Sequence, residues 1–203
     1  MPRRPTITNE EILEVARQIF LEQGFGASTV DIADKAGISE ASIFKRFATK
    51  QALFEAAMDI AEKPKWLKIL TEGTPSEDFK IELTDVCGQM LASYQEMIPR
   101  VMMVMGQGNV PPPPPVPPPP LRDTRLLAEY LERAIALGYL HPCSSTIVGH
   151  LIVGAMMNYV IVSNVTVTKL SASESFLVPE AIAPDEFIET LIEVLWKGIA
   201  PHA

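Results

Sequence analysis

Helix start and stop signals recur from one end of the chain to the other. No stretch alternates apolar and polar residues with the period of two that a half-buried strand requires. Thr8-Asn9-Glu10-Glu11 is a capping box, in which a threonine hydroxyl accepts from the backbone three residues on while the glutamate reaches back. Ile12, Val15, Ala16, Ile19 and Phe20 follow at helical spacing until Gly24. Ser28 or Thr29 caps a short second helix with Ile32, Ala33 and Ala36, stopped by Gly37. Ser39 caps a third, whose Ile43 and Phe47 lie four apart on one face, and Thr49 opens a fourth carrying Leu53, Phe54 and Ala57 until Pro64. Thr74-Pro75-Ser76-Glu77 combines a capping box with proline at the first helical position. It predicts a helix through Leu83, Val86, Cys87, Met90, Leu91 and Tyr94 toward Pro99, followed by a short apolar segment from Val101 to Met105. Further helices are predicted over Leu121 to Leu137, about Ser144 to Ser163, and Pro184 to Gly198. The expected fold class is all-α.

Length and composition bound what these helices build. With 203 residues and 47% hydrophobic content, the chain has material for one or two ordinary domains. Cys87 and Cys143 form no Cys-x-x-Cys and no Cys/His cluster, so neither a disulfide framework, nor a metal site, nor a cofactor is expected. The start, Met-Pro-Arg-Arg-Pro, lacks the apolar core of a signal peptide, and a cytoplasmic location is expected. Ile147 to Val167 is mostly apolar and of bilayer-spanning length, but it carries His150, Asn158, Ser163 and Asn164 without flanking basic clusters. It reads as a water-soluble helix covered on most sides, with a second copy of the chain as the natural cover and no membrane involved. Nine of the ten residues 111–120 are proline, which predicts an extended polyproline linker between two helices.

The net charge of −8 argues against nucleic acid only if taken whole. Met1 to Lys68 holds 10 basic and 10 acidic residues, so the excess of negative charge lies entirely in the remainder. Within the first 68 residues cations cluster as Arg3 with Arg4 and as Lys45, Arg46 and Lys50. The second and third helices, joined by Ala36-Gly37-Ile38-Ser39, have the dimensions of a helix-turn-helix. Ala33 permits close crossing, Gly37 makes the turn, and Ile38, Ile43 and Phe47 hold the second helix on the first. On these features alone a plain helical hairpin is an equal reading.

The residues Gly24-Phe25, Ser28-Thr29, Asp31-Ile32-Ala33, Ala36-Gly37-Ile38-Ser39, Ser42-Ile43-Phe44, Phe47, Lys50 and Leu53-Phe54 carry a resemblance. Their pattern resembles the N-terminal domain of the TetR family of transcriptional regulators, over about Asn9 to Met58; beyond that only the helix count and the Gly138-Tyr139-Leu140 turn are family-like. The resemblance implies a three-helix, homeodomain-like DNA-binding domain over 1–58, with the helix-turn-helix at about 28–47. It implies a helical effector-binding and dimerisation domain over 59–203, a homodimer, and double-stranded DNA with a palindromic operator as partner. It places Ser28 or Thr29 where hydroxyl and backbone N–H hold a phosphate. Glu40, Ala41, Ser42 and Lys45 fall on the groove-facing start of the recognition helix. Lys50 matches the family's phosphate-contacting lysine, with Arg46 assisting. Arg3 and Arg4 are either minor-groove contacts or a solvated tail.

Two departures stand out. Phe44 takes the place of the family's usual tyrosine, so a phosphate contact through a hydroxyl is lost. Glu40 puts an acid near base edges, where it either accepts from a cytosine amino group or serves the helix dipole as a cap.

For the C-terminal part, the resemblance implies a small-molecule effector, mainly apolar, that releases a repressor from DNA. Met90, Met97, Met102, Met103, Met105, Met156 and Met157 are flexible thioethers suited either to an adaptable pocket or to core filling. Tyr94, His150, Asn158 and Tyr159 are candidate polar groups for that pocket. Ile147, Leu151, Ala155, Val162, Phe187, Leu191 and Leu195 are candidates for a four-helix dimer interface. The fourth helix, from Lys50 toward Pro64, is the expected link between ligand and DNA. One alternative is a DNA-binding protein of the same fold controlled by a protein partner, or organising DNA, without a small ligand. A helical-bundle enzyme is more distant. The chain has no Gly-x-Ser-x-Gly, His-Glu-x-x-His, P-loop or dinucleotide fingerprint, and His141, His150 and His202 are scattered.

Overall fold

The computed structural model describes residues 7–59, 64–106, 119–168 and 182–199. Among them are nine helices: α1 (Asn9–Gln23), α2 (Thr29–Lys35), α3 (Glu40–Phe47), α4 (Lys50–Met58), α5 (Lys65–Glu72), α6 (Phe79–Gly106), α7 (Pro119–Ala136), α8 (Ser145–Thr168) and α9 (Pro184–Ile199). No strand occurs among the described residues. They fall into two compact units, one from 7–59 with 99–106 and the other from 64–98, 119–168 and 182–199.

In the first unit the local chemistry sets each boundary. Thr8 and Glu11 complete the capping box of α1, and Gly24 closes that helix. Ser28, Ser39 and Thr49 each accept from a backbone N–H in the first turn of α2, α3 and α4. Ile12, Ala16, Phe20, Ile32, Ile43, Leu53, Phe54 and Ala57 pack into one core. Phe54 meets Phe20 and Phe25 edge-on, with ring centroids 5.1 Å apart in both pairs. Gly37 turns the chain between α2 and α3 at φ 68°, a conformation in which a Cβ would crowd the carbonyl. Between α3 and α4 an alanine takes a comparable position: Ala48 stands at φ 59° and ψ −48°, and Thr49 N–H donates to the Phe47 carbonyl across it at 2.6 Å. That is a γ-turn of the strained kind.

The second unit is centred on Trp66, Leu70, Leu83, Met90, Tyr94, Leu127, Tyr130, Ile152, Met156 and Ile192. The α7 and α8 helices cross closely at Gly149, where a Cβ would lie 3.1 Å from the Thr124 carbonyl oxygen. Arg133 of α7 donates to the Leu70 carbonyl at 2.6 Å, capping the last turn of α5. His141 N–H donates to Ile199 O at 3.0 Å, and this ties the turn before α8 to the end of α9.

Several boundaries differ from the sequence reading. The α5 helix was not foreseen, although Trp66 and Leu70 are four apart and both buried. The α6 helix starts at Phe79 rather than at Pro75, because the Glu82 carboxylate takes the Ser76 N–H and hydroxyl in a non-helical lead-in. It then passes through Pro99 to Gly106. A proline there forfeits one ladder hydrogen bond, at roughly 3 kcal/mol in an exposed helix. Burial of Ile98 just before it and packing of Met103 and Val104 on the first unit's core offset that loss. For the same reason 99–106 falls with the first unit. Pro119 and Pro120 open α7 rather than continuing an extended spacer, since the first turn of a helix needs no N–H from them. The rest of the proline run, 111–118, lies outside the described residues.

Candidate nucleic-acid interface

The α2 and α3 helices are short, and everything that orients them comes from their ends and one apolar face. Ile32, Ala33 and Ile43 are buried where they meet. The remaining sides of α3 carry the polar and small residues, with Ala41 and Lys45 exposed and Ser42 and Phe44 half-buried. The Ser39 hydroxyl lies 2.8 Å from that of Ser42, whose N–H it also caps at 3.3 Å, so these two hydroxyls brace the first turn.

Ser28 and Thr29, alternatives in the sequence, are distinguished by the structure. Ser28 is exposed and caps α2, its Oγ accepting from Val30 N–H at 3.1 Å. Thr29 is buried, and its hydroxyl donates to Glu40 Oε1 across the helix pair. Glu40, half-buried at the first position of α3, is therefore held from α2.

The cations separate as well. Lys45 projects into solvent. Arg46 turns back, its Nη1 donating to the Ile7 carbonyl at 2.8 Å and to Asn9 Oδ1 at 3.2 Å, which fastens the segment before α1 to the end of α3. Lys50 Nζ sits 5.0 Å from the centroid of the Phe25 ring, a cation–π contact that holds the ammonium at the start of α4. Arg3 and Arg4 lie outside the described residues.

The candidate ligand residues do not gather in one place. Met90, Tyr94 and Met156 are buried in the second unit with Met97 half-buried beside them. Met102 and Met105 are exposed at the end of α6 in the first unit. His150 and Asn158 are exposed on α8. Tyr159 stacks on Phe187, with centroids 4.4 Å apart, and its hydroxyl donates to Ile182 O at 2.7 Å. Of the candidate dimer residues, Ile147 and Leu151 are exposed, at 60% and 53%, while Ala155, Val162, Phe187, Leu191 and Leu195 are half-buried.

The polar centre of the second unit is a residue the sequence reading did not single out. Asp123 of α7 is fully buried; it accepts from Tyr94 Oη at 3.0 Å and from Arg122 Nε at 2.7 Å. Arg122 in turn lies over Trp66, 6.0 Å from the ring, and the indole N–H donates to Ser93 Oγ at 2.9 Å. Burial pushes the Asp123 carboxyl above the usual carboxylate range against the opposing pull of Arg122 and Tyr94. A sign of it was present: Asp123 shares the helical stripe of Leu126, Leu127, Tyr130, Leu131 and Ala134, all of them buried. Cys87, also in this core, is a free thiol that burial raises to about 12, so it packs as a small apolar side chain. A separate groove of about 400 Å³ opens between α6 and α9, lined by Thr84, Asp85, Gly88, Gln89, Asp185 and Glu189, and it holds none of the candidate ligand residues.

The α2 and α3 helices are thus packed through one apolar face, each capped at its start, with a lysine held at the head of α4. Residues 12–57 fit the family model described as bacterial regulatory proteins, tetR family. They are a TetR-family domain. The chain is 46% identical over 52 residues to the uncharacterized HTH-type transcriptional regulator YvkB of Bacillus subtilis strain 168, across 25% of this chain and 28% of that protein. It is 36% identical over 58 residues to the HTH-type transcriptional repressor KstR2 of Mycolicibacterium smegmatis, across 28% of each. The match thus spans under a third of the length of either relative. Beyond that segment the likeness is one of fold. Over 92% of this chain and 97% of the other, it is similar to the crystal structure of the TetR family transcriptional regulator PfmR from Thermus thermophilus, at 19% identity and a TM-score of 0.60. All three proteins are named as transcriptional regulators or repressors, none as an enzyme.

Proposed function

We propose that the chain is a cytoplasmic, homodimeric transcriptional regulator, a repressor that leaves a palindromic operator when a small, mainly apolar ligand binds its second unit. The observation that carries the DNA-binding part is α3 itself. Its inner face is locked by Ile43 and by the Ser39 cap, while Ala41 in its first turn and Lys45 in its last turn stay exposed and Ser42 is half-buried, a surface suited to entering a major groove. Ser28 and Lys50 flank it as phosphate contacts.

The dimer reading rests on α8. Ile147, His150, Leu151, Gly154, Asn158 and Ile161 are all exposed at helical spacing, a mostly apolar stripe on a helix long and apolar enough to cross a membrane by length and composition. A second copy related by a twofold axis would cover this stripe and set two α3 helices toward successive grooves. The ligand part of the reading is supported by the Tyr94–Asp123 pair alone, a buried polar group within a core containing Met90, Met156 and Trp66.

The test is selection of genomic fragments by the purified protein at near-physiological salt, followed by addition of small apolar compounds suggested by the genes beside the selected sites. Enrichment of one or a few inverted repeats, with release by such a compound, is the expected result. Flat enrichment would remove the DNA reading, and specific binding that only a protein partner relieves would remove the small ligand.

A further inference from the structure

Thr29 begins α2, Glu40 begins α3, and their side chains meet. A threonine hydroxyl has one proton to donate, and here it goes to Glu40 Oε1. A phosphate oxygen only accepts, so this hydroxyl has no proton left for the DNA backbone while the bond to Glu40 stands. Thr29 is also buried, at 9% exposure, and its branched side chain is stiff in a helix. The bond therefore restrains the long glutamate rather than the threonine.

Resting on the DNA-binding reading above, we propose that Thr29 is a positioning residue for base readout: it holds the Glu40 carboxylate so that Oε2 faces the major groove and accepts from a cytosine amino group. Two donors are available in that groove, the cytosine N4 amine and the adenine N6 amine. Adenine sets its N7 acceptor beside the amine, where a carboxylate is repelled, whereas cytosine presents a C–H there. An unrestrained glutamate would lose rotamer freedom on docking and would swing away from nearby phosphates; one fixed in advance avoids both losses. The division of labour at the start of α2 follows. Ser28 is the exposed hydroxyl at the backbone, and Thr29 serves the recognition helix.

The experiment is selection from a randomised duplex library with the full chain as wild type, Thr29→Val, Thr29→Ser and Glu40→Gln. Affinity for random duplex is measured beside it at several salt concentrations. Wild type is expected to demand C·G at one position of each half-site by about tenfold or more. Thr29→Val should flatten that position to under threefold while leaving the other positions and the salt slope unchanged. Thr29→Ser, which keeps the hydroxyl, should retain the preference, and Glu40→Gln should lose it, because an amide whose oxygen is still held by Thr29 turns an N–H donor toward the groove and cannot accept from a cytosine amine.

An unchanged matrix in Thr29→Val overturns the proposal. So does a uniform loss on all sequences with a salt slope smaller by about one, which marks a phosphate contact. If the valine variant does not fold, judged by circular dichroism, the other two decide: an unmoved preference in Glu40→Gln overturns the assignment. A wild type that enriches no sequence defeats the DNA reading itself, which is a different outcome from any of these.

Discussion

Lys50 rests against Phe25 at the head of α4, and among the described residues it forms no ion pair with an acid. Its charge is thereby aimed without being neutralised, which suits a phosphate. Lys50→Ala should weaken binding to all duplexes about equally and reduce the dependence of log affinity on log salt by about one, while Glu40→Ala should change sequence preference. Titrations of two unrelated duplexes at three salt concentrations separate the two; a uniform loss from both variants would contradict the assignment. Ala48 offers a test of stability at the same scale. It occupies a positive-φ turn between α3 and α4 that glycine enters at little steric cost. Ala48→Gly should raise the stability of the first unit by about 1 kcal/mol after the entropy lost by the freer unfolded chain, read from urea denaturation; a drop would show that the turn is not strained.

At the scale of elements, legibility followed the range of the interaction. The caps Thr8, Ser39 and Thr49 and the stop at Gly24 were readable because a cap needs only residues two to four apart, and the structure places each one, whereas the choice of Ser28 over Thr29 came from the structure. The passage of α6 through Pro99 was not readable, since Met103 and Val104 gain their partners from helices far upstream in the chain. Similarly, the Thr29–Glu40 bond spans the turn between two helices, and Asp123 finds Tyr94 on another helix. Residue type announces none of these partners. Asp123 also makes α7 sensitive to pH. Its folded pKa is raised, so ionisation above that value is penalised in the folded state alone, and the penalty disappears as pH falls through the raised pKa toward the ordinary carboxylate value. Unfolding in urea, followed by tryptophan fluorescence, should therefore show wild type gaining stability relative to Asp123→Asn as the pH is lowered from neutral toward the ordinary carboxylate range. A difference independent of pH would mean that the carboxyl is not perturbed in solution.

For the whole molecule, the exposed side of α8 is the feature that one copy leaves unexplained. Ile147 and Leu151 project from a helix whose other side is buried in the second unit's core through Val148, Ile152, Val153, Met156 and Val160. Leu151→Glu should leave the protomer folded, because the side chain is already half in solvent. It should shift the mass in solution from dimer to monomer and weaken binding to a two-half-site operator by about a hundredfold or more, since the second half-site is no longer delivered by the first. An unchanged dimer mass would move the interface elsewhere.

On the proposed function, two copies present two α3 helices to one face of a duplex. Hydroxyl-radical footprinting on a selected fragment reads this directly. Two protected patches are expected, with centres about one helical turn apart, roughly 34–36 Å, or a whole multiple of it, related by an inverted repeat. A single patch, or protection spread evenly along the fragment, would contradict it.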